Sequence, residues 1–249
     1  MEKQVLVRWT PLYYTSLVLF VASVILYPIN PTWSIITVLF LICLWSRIPG
    51  FIAFVFNKLA LNDLFALIIA ANTTGLIGGA FGASLMLFSR LFGPHEWIPY
   101  TFRASVAIFI AGIFTPIAIK AAGGLNVMAM VYFEAFLYAA YYLQILLFWR
   151  DEIGLEIVLL PAVLLFDFGM NSVLIGPFGG IITDMMNKGL AAGTPFIIMS
   201  GILLGFIILA RNAKKISEWL QDRWAKIRGE RRRKEMYEFF GLTEEPLHG

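Results

Sequence analysis

The sequence predicts an all-α polytopic membrane protein: a bundle of six to seven transmembrane helices with glycine-rich breaks, followed by a basic amphipathic C-terminal helix. Three observations predict it. The 249 residues are 59% hydrophobic and only 14% charged, with a mean hydropathy of +0.79, whereas soluble domains carry about 25% charged residues. The apolar residues gather into runs near the roughly 20 residues that a helix needs to cross a bilayer, rather than into the short alternating stretches of a β-rich domain. Two of these runs contain glycine-rich pieces, at 72–82 and 171–180. Helices in lipid tolerate such breaks only where protein or a polar cavity takes the freed backbone groups.

Taken in order, the first greasy run covers 11–29. No small-x-small cleavage pattern follows it, because the next residues are Asn30, Pro31 and Thr32, so it is read as a first span and not as a signal peptide. The second span opens near Thr32, with Trp33 as an interfacial anchor. It either ends near Trp45 or continues as one kinked helix past Arg47 and Pro49 to Phe56. The longer version is preferred because 32–45 alone is short, and it requires Arg47 to face protein. Asn62 and Asp63 look like the N-cap of a third helix, whose greasy stretch runs from Leu64 to about Phe92 and holds the first glycine-rich piece. Gly75, Gly79 and Gly82 share one face at steps of four and three, which favours close helix packing. The alternative is a break exposing backbone beside Asn72, Thr73 and Thr74.

The loop between Arg90 and Arg103 carries His95, Glu96 and several aromatic residues suited to the headgroup region. A fourth span, 104–119, ends near Pro116 and Lys120. Gly123 and Gly124 make a tight connection to a fifth span, 125–149. Glu134 falls close to its middle, with Tyr138 and Tyr141 on the same face. A carboxyl at this depth faces the bundle or a cavity rather than lipid. A sixth span, 156–176, carries Asp167 near its middle and Asn171 one turn beyond, then enters the second glycine-rich piece, where Pro177 is expected to break it. A seventh covers 191–210.

The tail holds the whole charge excess: ten Lys/Arg against seven Asp/Glu after residue 210, and nine of each before it. Two domains follow, 1–210 in the membrane and 211–249 outside it. Within 212–240, Ile216, Trp219, Leu220, Trp224 and Ile227 fall on one helix face, ringed by lysines and arginines and followed by the basic run at 231–234. The tail is therefore expected on the cytoplasmic side, lying on anionic lipid or docking a cytosolic protein. The interspersed acidic residues argue against nucleic acid. The expected location is the cell membrane, with the bilayer itself as the first partner.

Several chemistries lack their residues. There is no Walker lysine motif, no HExxH and no cysteine pair, since Cys43 is alone, so neither a metal nor another cofactor is expected. His95 and His248 are the only histidines and both fall outside the spans, which leaves no buried pair for haem and no relay for a serine nucleophile. Within 176–184, Gly176-Pro177-Phe178-Gly179-Gly180 followed by Asp184 is loosely similar to glycine-proline turns in the substrate-binding subunits of vitamin uptake systems; so short a piece assigns no family.

The two Leu-Ile-Gly pieces fall in the third and sixth spans, which cross in opposite senses under a seven-span count. An inverted repeat with a discontinuous helix in each half has that arrangement, although common membrane residues suffice to produce the match. The reading that follows is a membrane transport protein, or the membrane-embedded subunit of one, for a small solute or cation. Its site is expected to combine Glu134 and Asp167 as proton- or cation-handling groups with Asn72, Thr73, Asn171 and Tyr138 as neutral ligands. A non-catalytic scaffold subunit is the first alternative. An enzyme acting on lipid through Arg90, Glu96 and Arg103 is the second, so enzymatic activity stays undecided.

Overall fold

The computed structural model describes residues 2–46, 61–91, 98–148, 150, 154, 168–205 and 207–208. All of its elements are helical: α1 (Glu2–Leu26), α2 (Pro31–Ser46), α3 (Asn62–Asn72), α4 (Gly75–Leu91), α5 (Ile98–Ala122), α6 (Val127–Phe148), α7 (Gly169–Lys188), a 3-10 turn (Gly189–Ala192) and α8 (Gly193–Gly205). The chain forms two compact units, Met1–Ile207 and Ile208–Gly249. The basic tail expected at 211–249 lies outside the described residues.

The central element is α3. Every residue from Asn62 to Ala70 is buried, and α2, α4, α5, α6 and α7 all pack against it. Leu64, Phe65, Leu67, Ile68 and Ile69 leave no polar face, and a helix apolar all round belongs in an interior. Its start differs from expectation: Leu61 occupies the N-cap position and no side chain caps it. Around α3, helices α4, α5 and α6 run antiparallel in succession. The α4–α5 contact is made of glycine. A Cβ at Gly75 would meet the Gly112 carbonyl oxygen at 2.6 Å, and one at Gly79 the Phe109 carbonyl oxygen at 2.6 Å. A Cβ at Gly112 would collide with the Gly79 backbone. Gly78 faces the other way, onto Ala66 and Ala70 of α3. The small-residue face expected at Gly75, Gly79 and Gly82 is therefore present, and Gly112 completes it from the opposite helix.

Helices α5 and α6 form a hairpin. Gly123 and Gly124 turn the chain at φ of 72° and 142°, values that L side chains rarely adopt. Helices α1 and α2 form a second hairpin, tied by Ser34 Oγ donating to the Ser23 carbonyl (2.5 Å) and Trp45 Nε1 donating to Ser16 Oγ (3.0 Å). Its turn props the corner between α7 and α8. Tyr27 donates from its hydroxyl to the Gly189 carbonyl (2.6 Å) and stacks on Phe196 with centroids 3.7 Å apart. Burial pushes the Tyr27 phenol above its ordinary range.

The expected six to seven crossing helices are not found. Among the described residues, two helices are long and apolar enough to cross a membrane, Thr101–Ala122 and Val127–Phe148. The count reaches three at most, if Gly169–Ala191 and Gly193–Gly205, bent by 113°, make one span. Hydropathy overcounts here because it reads run length and not helix length. The run from Leu64 to Phe92 is cut at Thr73 and Thr74 into helices of 11 and 17 residues. The described part of α2 covers 16 residues, and the apolar part of α1 is only Tyr13–Leu26. At 1.5 Å per residue these helices measure about 16–26 Å, short of a roughly 30 Å hydrocarbon core. The expected continuation of α2 past Arg47 lies outside the described residues.

Candidate functional site

The α3–α4 junction is a true break. Helix α3 ends at Asn72, Thr73 adopts φ −131° and ψ −102°, and α4 starts at Gly75. Local side chains make the break by offering the backbone alternatives to the helical ladder. Thr73 donates from both its N–H (2.9 Å) and its Oγ1 (2.6 Å) to the Ile69 carbonyl. Thr74 caps α4: its Oγ1 accepts from the Ile77 N–H (3.2 Å) and its carbonyl accepts from the Gly78 N–H (3.1 Å). A threonine N-cap satisfying the third N–H of the new helix is the favoured arrangement. Asn72 is fixed by both its amide donors, one to the Ile68 carbonyl (2.8 Å) and one to Thr183 Oγ1 on α7 (3.0 Å). Its Oδ1 is left as an acceptor at the break. Asn72 and Thr73 are half-buried and Thr74 is exposed.

Glu134 belongs to the same layer. It is 2% exposed on α6. Phe136 stacks on Phe114 of α5 with centroids 5.1 Å apart, and Gln144 donates to the Arg103 carbonyl (3.2 Å). This antiparallel register sets Glu134 level with Thr115 and Pro116. Gly75 meets Gly112 and Ile113 of the same helix, so the end of α3 lies at that level too. The layer is close to the middle of both long apolar helices, Thr101–Ala122 and Val127–Phe148. Tyr138 is half-buried one turn beyond Glu134, and Tyr141 is buried on the same face. The expectation that Glu134 faces the bundle is met.

The second glycine-rich piece does not mirror the first. Helix α7 runs unbroken from Gly169 through Pro177 to Lys188, so neither the expected break nor a glycine-proline turn occurs. Asn171 is 1% exposed, in the first turn of α7. Among the described residues, its Nδ2 and the hydroxyl of Ser172 have no hydrogen-bond partner. Asn72 meets Thr183 and not Asn171; the two α7 positions are twelve residues apart, about 18 Å along a helix. The expected cluster therefore separates into Asn72, Thr73 and Glu134 in the central layer and Asn171 elsewhere on α7. Asp167 lies outside the described residues.

The sequence reading passed over Thr183 and Gly112, gave Thr74 no capping role and misplaced Arg103. Thr183 and Thr74 are ordinary hydroxyls until a partner is known. The signal for Gly112 was its spacing from Pro116. A proline has no N–H for the carbonyl four residues earlier, which is that of Gly112. Arg103 was expected as a loop charge. It lies inside α5 at 1% exposure, with its guanidinium 5.6 Å from the Tyr141 ring centroid. Among the described residues no group of three His, Cys, Asp or Glu side chains is placed to hold a metal ion.

Comparison with protein-family models, with curated proteins and with solved structures finds no match for this chain.

Proposed function

We propose that this membrane-associated helical protein is a transport protein, or the membrane-embedded subunit of one, handling a small solute or cation. The observation that carries the reading is the polar break at Asn72–Thr74, placed at mid-depth of the two membrane-length helices and level with a buried glutamate. Free backbone groups at that depth are costly unless they line a cavity or are covered by protein, and intramembrane carboxylates mark solute, proton or ion routes. Discontinuous helices are a recurrent way to build such sites. Asn171 and Ser172 offer further polar groups on α7, and the basic tail is proposed to lie on an anionic cytoplasmic leaflet.

The test is flux into proteoliposomes holding the full chain, across a panel of cations and small metabolites and with an imposed proton gradient. Glu134→Gln keeps the shape of the side chain and is expected to abolish flux while leaving folded yield unchanged. A fall in folded yield with unaltered flux per folded molecule would assign Glu134 a purely structural part. One observation favours a scaffold subunit instead: Asn72 uses both its donors inside the bundle, as interhelical glue would. That reading predicts a partner recovered in mild detergent and lost on deleting 212–249. The lipid-enzyme alternative is weakened because Arg103 is enclosed by α5 and α6 rather than presented to headgroups.

A further inference from the structure

The α3–α4 segment is a hairpin, and its dimensions say how it meets a bilayer. Three contacts fix its pairing. A Cβ at Gly78 would run into Ala70, and one at Gly82 would meet the Ala66 Cβ at 3.1 Å. Near the far end, Asn62 Nδ2 donates to Met86 Sδ (3.5 Å). The pairs Ala70–Gly78, Ala66–Gly82 and Asn62–Met86 are all centred on position 74, so α4 folds straight back along α3 from the turn at Thr73 and Thr74. Small residues allow it: with Ala66 and Ala70 against Gly78 and Gly82, the two backbones approach closely, as packed helices in lipid do.

Depth is the second observation. Gly75, one residue past the turn, lies on Gly112 and Ile113, at the middle of the membrane-length helix Thr101–Ala122. Four residues on, Gly79 lies on Phe109, so both arms point towards the start of α5. In the other direction α5 continues to Ala122, about 15 Å beyond Gly112. The hairpin therefore turns well short of the face where α5 and α6 join. Its arms match half a bilayer. Helix α3 has 11 residues and the apolar part of α4 is Gly75–Phe88, about 16 and 21 Å at 1.5 Å per residue. Half of a roughly 30 Å hydrocarbon core is about 15 Å. A turn at such depth is tolerated where protein covers it. Here α3 is buried from Asn62 to Ala70, Asn72 is tied to Thr183, and the two threonine hydroxyls bond backbone.

We infer that α3–α4 is a re-entrant helical hairpin: it enters and leaves the bilayer on the face where α5 begins, with Thr73 and Thr74 as its tip at mid-depth. The chain before α3 and the chain after α4 then share one side, and the third apolar run contributes no crossing. The inference goes beyond the transport reading and stands without it, because it concerns only the path of the backbone.

The test uses single cysteines in the full chain, in sealed vesicles of one orientation, with a membrane-impermeant maleimide. The wild type, whose Cys43 is buried, gives the blank. Lys58→Cys, ahead of α3, and Glu96→Cys, between α4 and α5, are expected to react from the same side. Lys120→Cys, beside the α5–α6 turn, is expected to react from the other. A nitroxide then locates the tip. Leu76 and Ile113 are both exposed, so Leu76→Cys and Ile113→Cys each carry the label without disturbing the core. The two are expected at the same depth, about 10 Å deeper than a nitroxide on Lys120→Cys. Reaction of positions 58 and 96 from opposite sides means a single crossing and overturns the inference. Reaction from the same side, with position 76 as shallow as position 120, means two full crossings and overturns it as well.

Discussion

The two glycine-rich pieces begin alike, with an asparagine and a hydroxyl leading into Leu-Ile-Gly, and end in opposite structures. At 72–82 the helix breaks and the glycines are compressed between neighbours. At 171–180 the helix continues past a proline, and no atom of the described residues lies within 4 Å of a Cβ added at Gly176 or Gly180. The difference originates in the hydroxyls before the glycines. Thr73 and Thr74 turn their side chains back onto the backbone and stop the ladder. Ser172 makes no such bond, and Pro177 removes only one donor from a helix of 20 residues. Glycine permits a break or a close approach; the local hydroxyls and the opposite helix decide whether either happens.

That contrast is open to attack by substitution, and the expected effects differ in sign. The largest belongs to Gly112→Ala. Its Cβ meets Gly79 backbone, which cannot swing aside as a side chain can, so α4 and α5 must separate. A loss of about 3 kcal/mol or more is expected, the upper range of overpacking, read as a lower unfolding midpoint in detergent. Gly79→Ala is expected to follow closely, since its Cβ meets the Phe109 carbonyl oxygen. Next comes Thr74→Ala, which removes the α4 cap and should cost about 1 kcal/mol. The paired Ser172→Ala is expected to cost nothing or to stabilise slightly, because its hydroxyl is buried without a partner. Smallest is Gly180→Ala. With open space around it and ordinary helical backbone, it should gain roughly 0.5–1 kcal/mol from helix propensity. Equal losses for Gly79→Ala and Gly180→Ala would show that the second piece is packed as tightly as the first, and the comparison would fail.

Some of this was legible beforehand. The α5–α6 hairpin followed from two apolar runs around Gly123 and Gly124. The burial of Glu134 followed from the cost of a carboxyl at mid-run. The packing face of Gly75, Gly79 and Gly82 followed from helical spacing. The span count was not legible, because an apolar run measures how much chain avoids water and not where a helix stops. Thr73 and Thr74 are two polar residues in a run of nearly thirty, too few to lower a hydropathy average. Arg103 was misjudged for a related reason: a charge near the edge of a run looks like loop, yet Tyr141 and the α6 wall enclose it.

What the sequence determined alone is composition-driven: an all-α, membrane-associated chain whose fourth and fifth apolar runs are long helices, with a carboxyl buried in the fifth. These rest on local or additive quantities, namely transfer free energy, glycine's conformational freedom and helical periodicity. Only the tertiary structure decided that α3 is a short enclosed core helix, that Asn72 pairs with Thr183 and not with Asn171, and that Gly112 and Glu134 share the layer of the break. Those depend on which helices meet and in what register. Register is fixed by side-chain volume summed over whole interfaces, a quantity that no short window of the sequence contains.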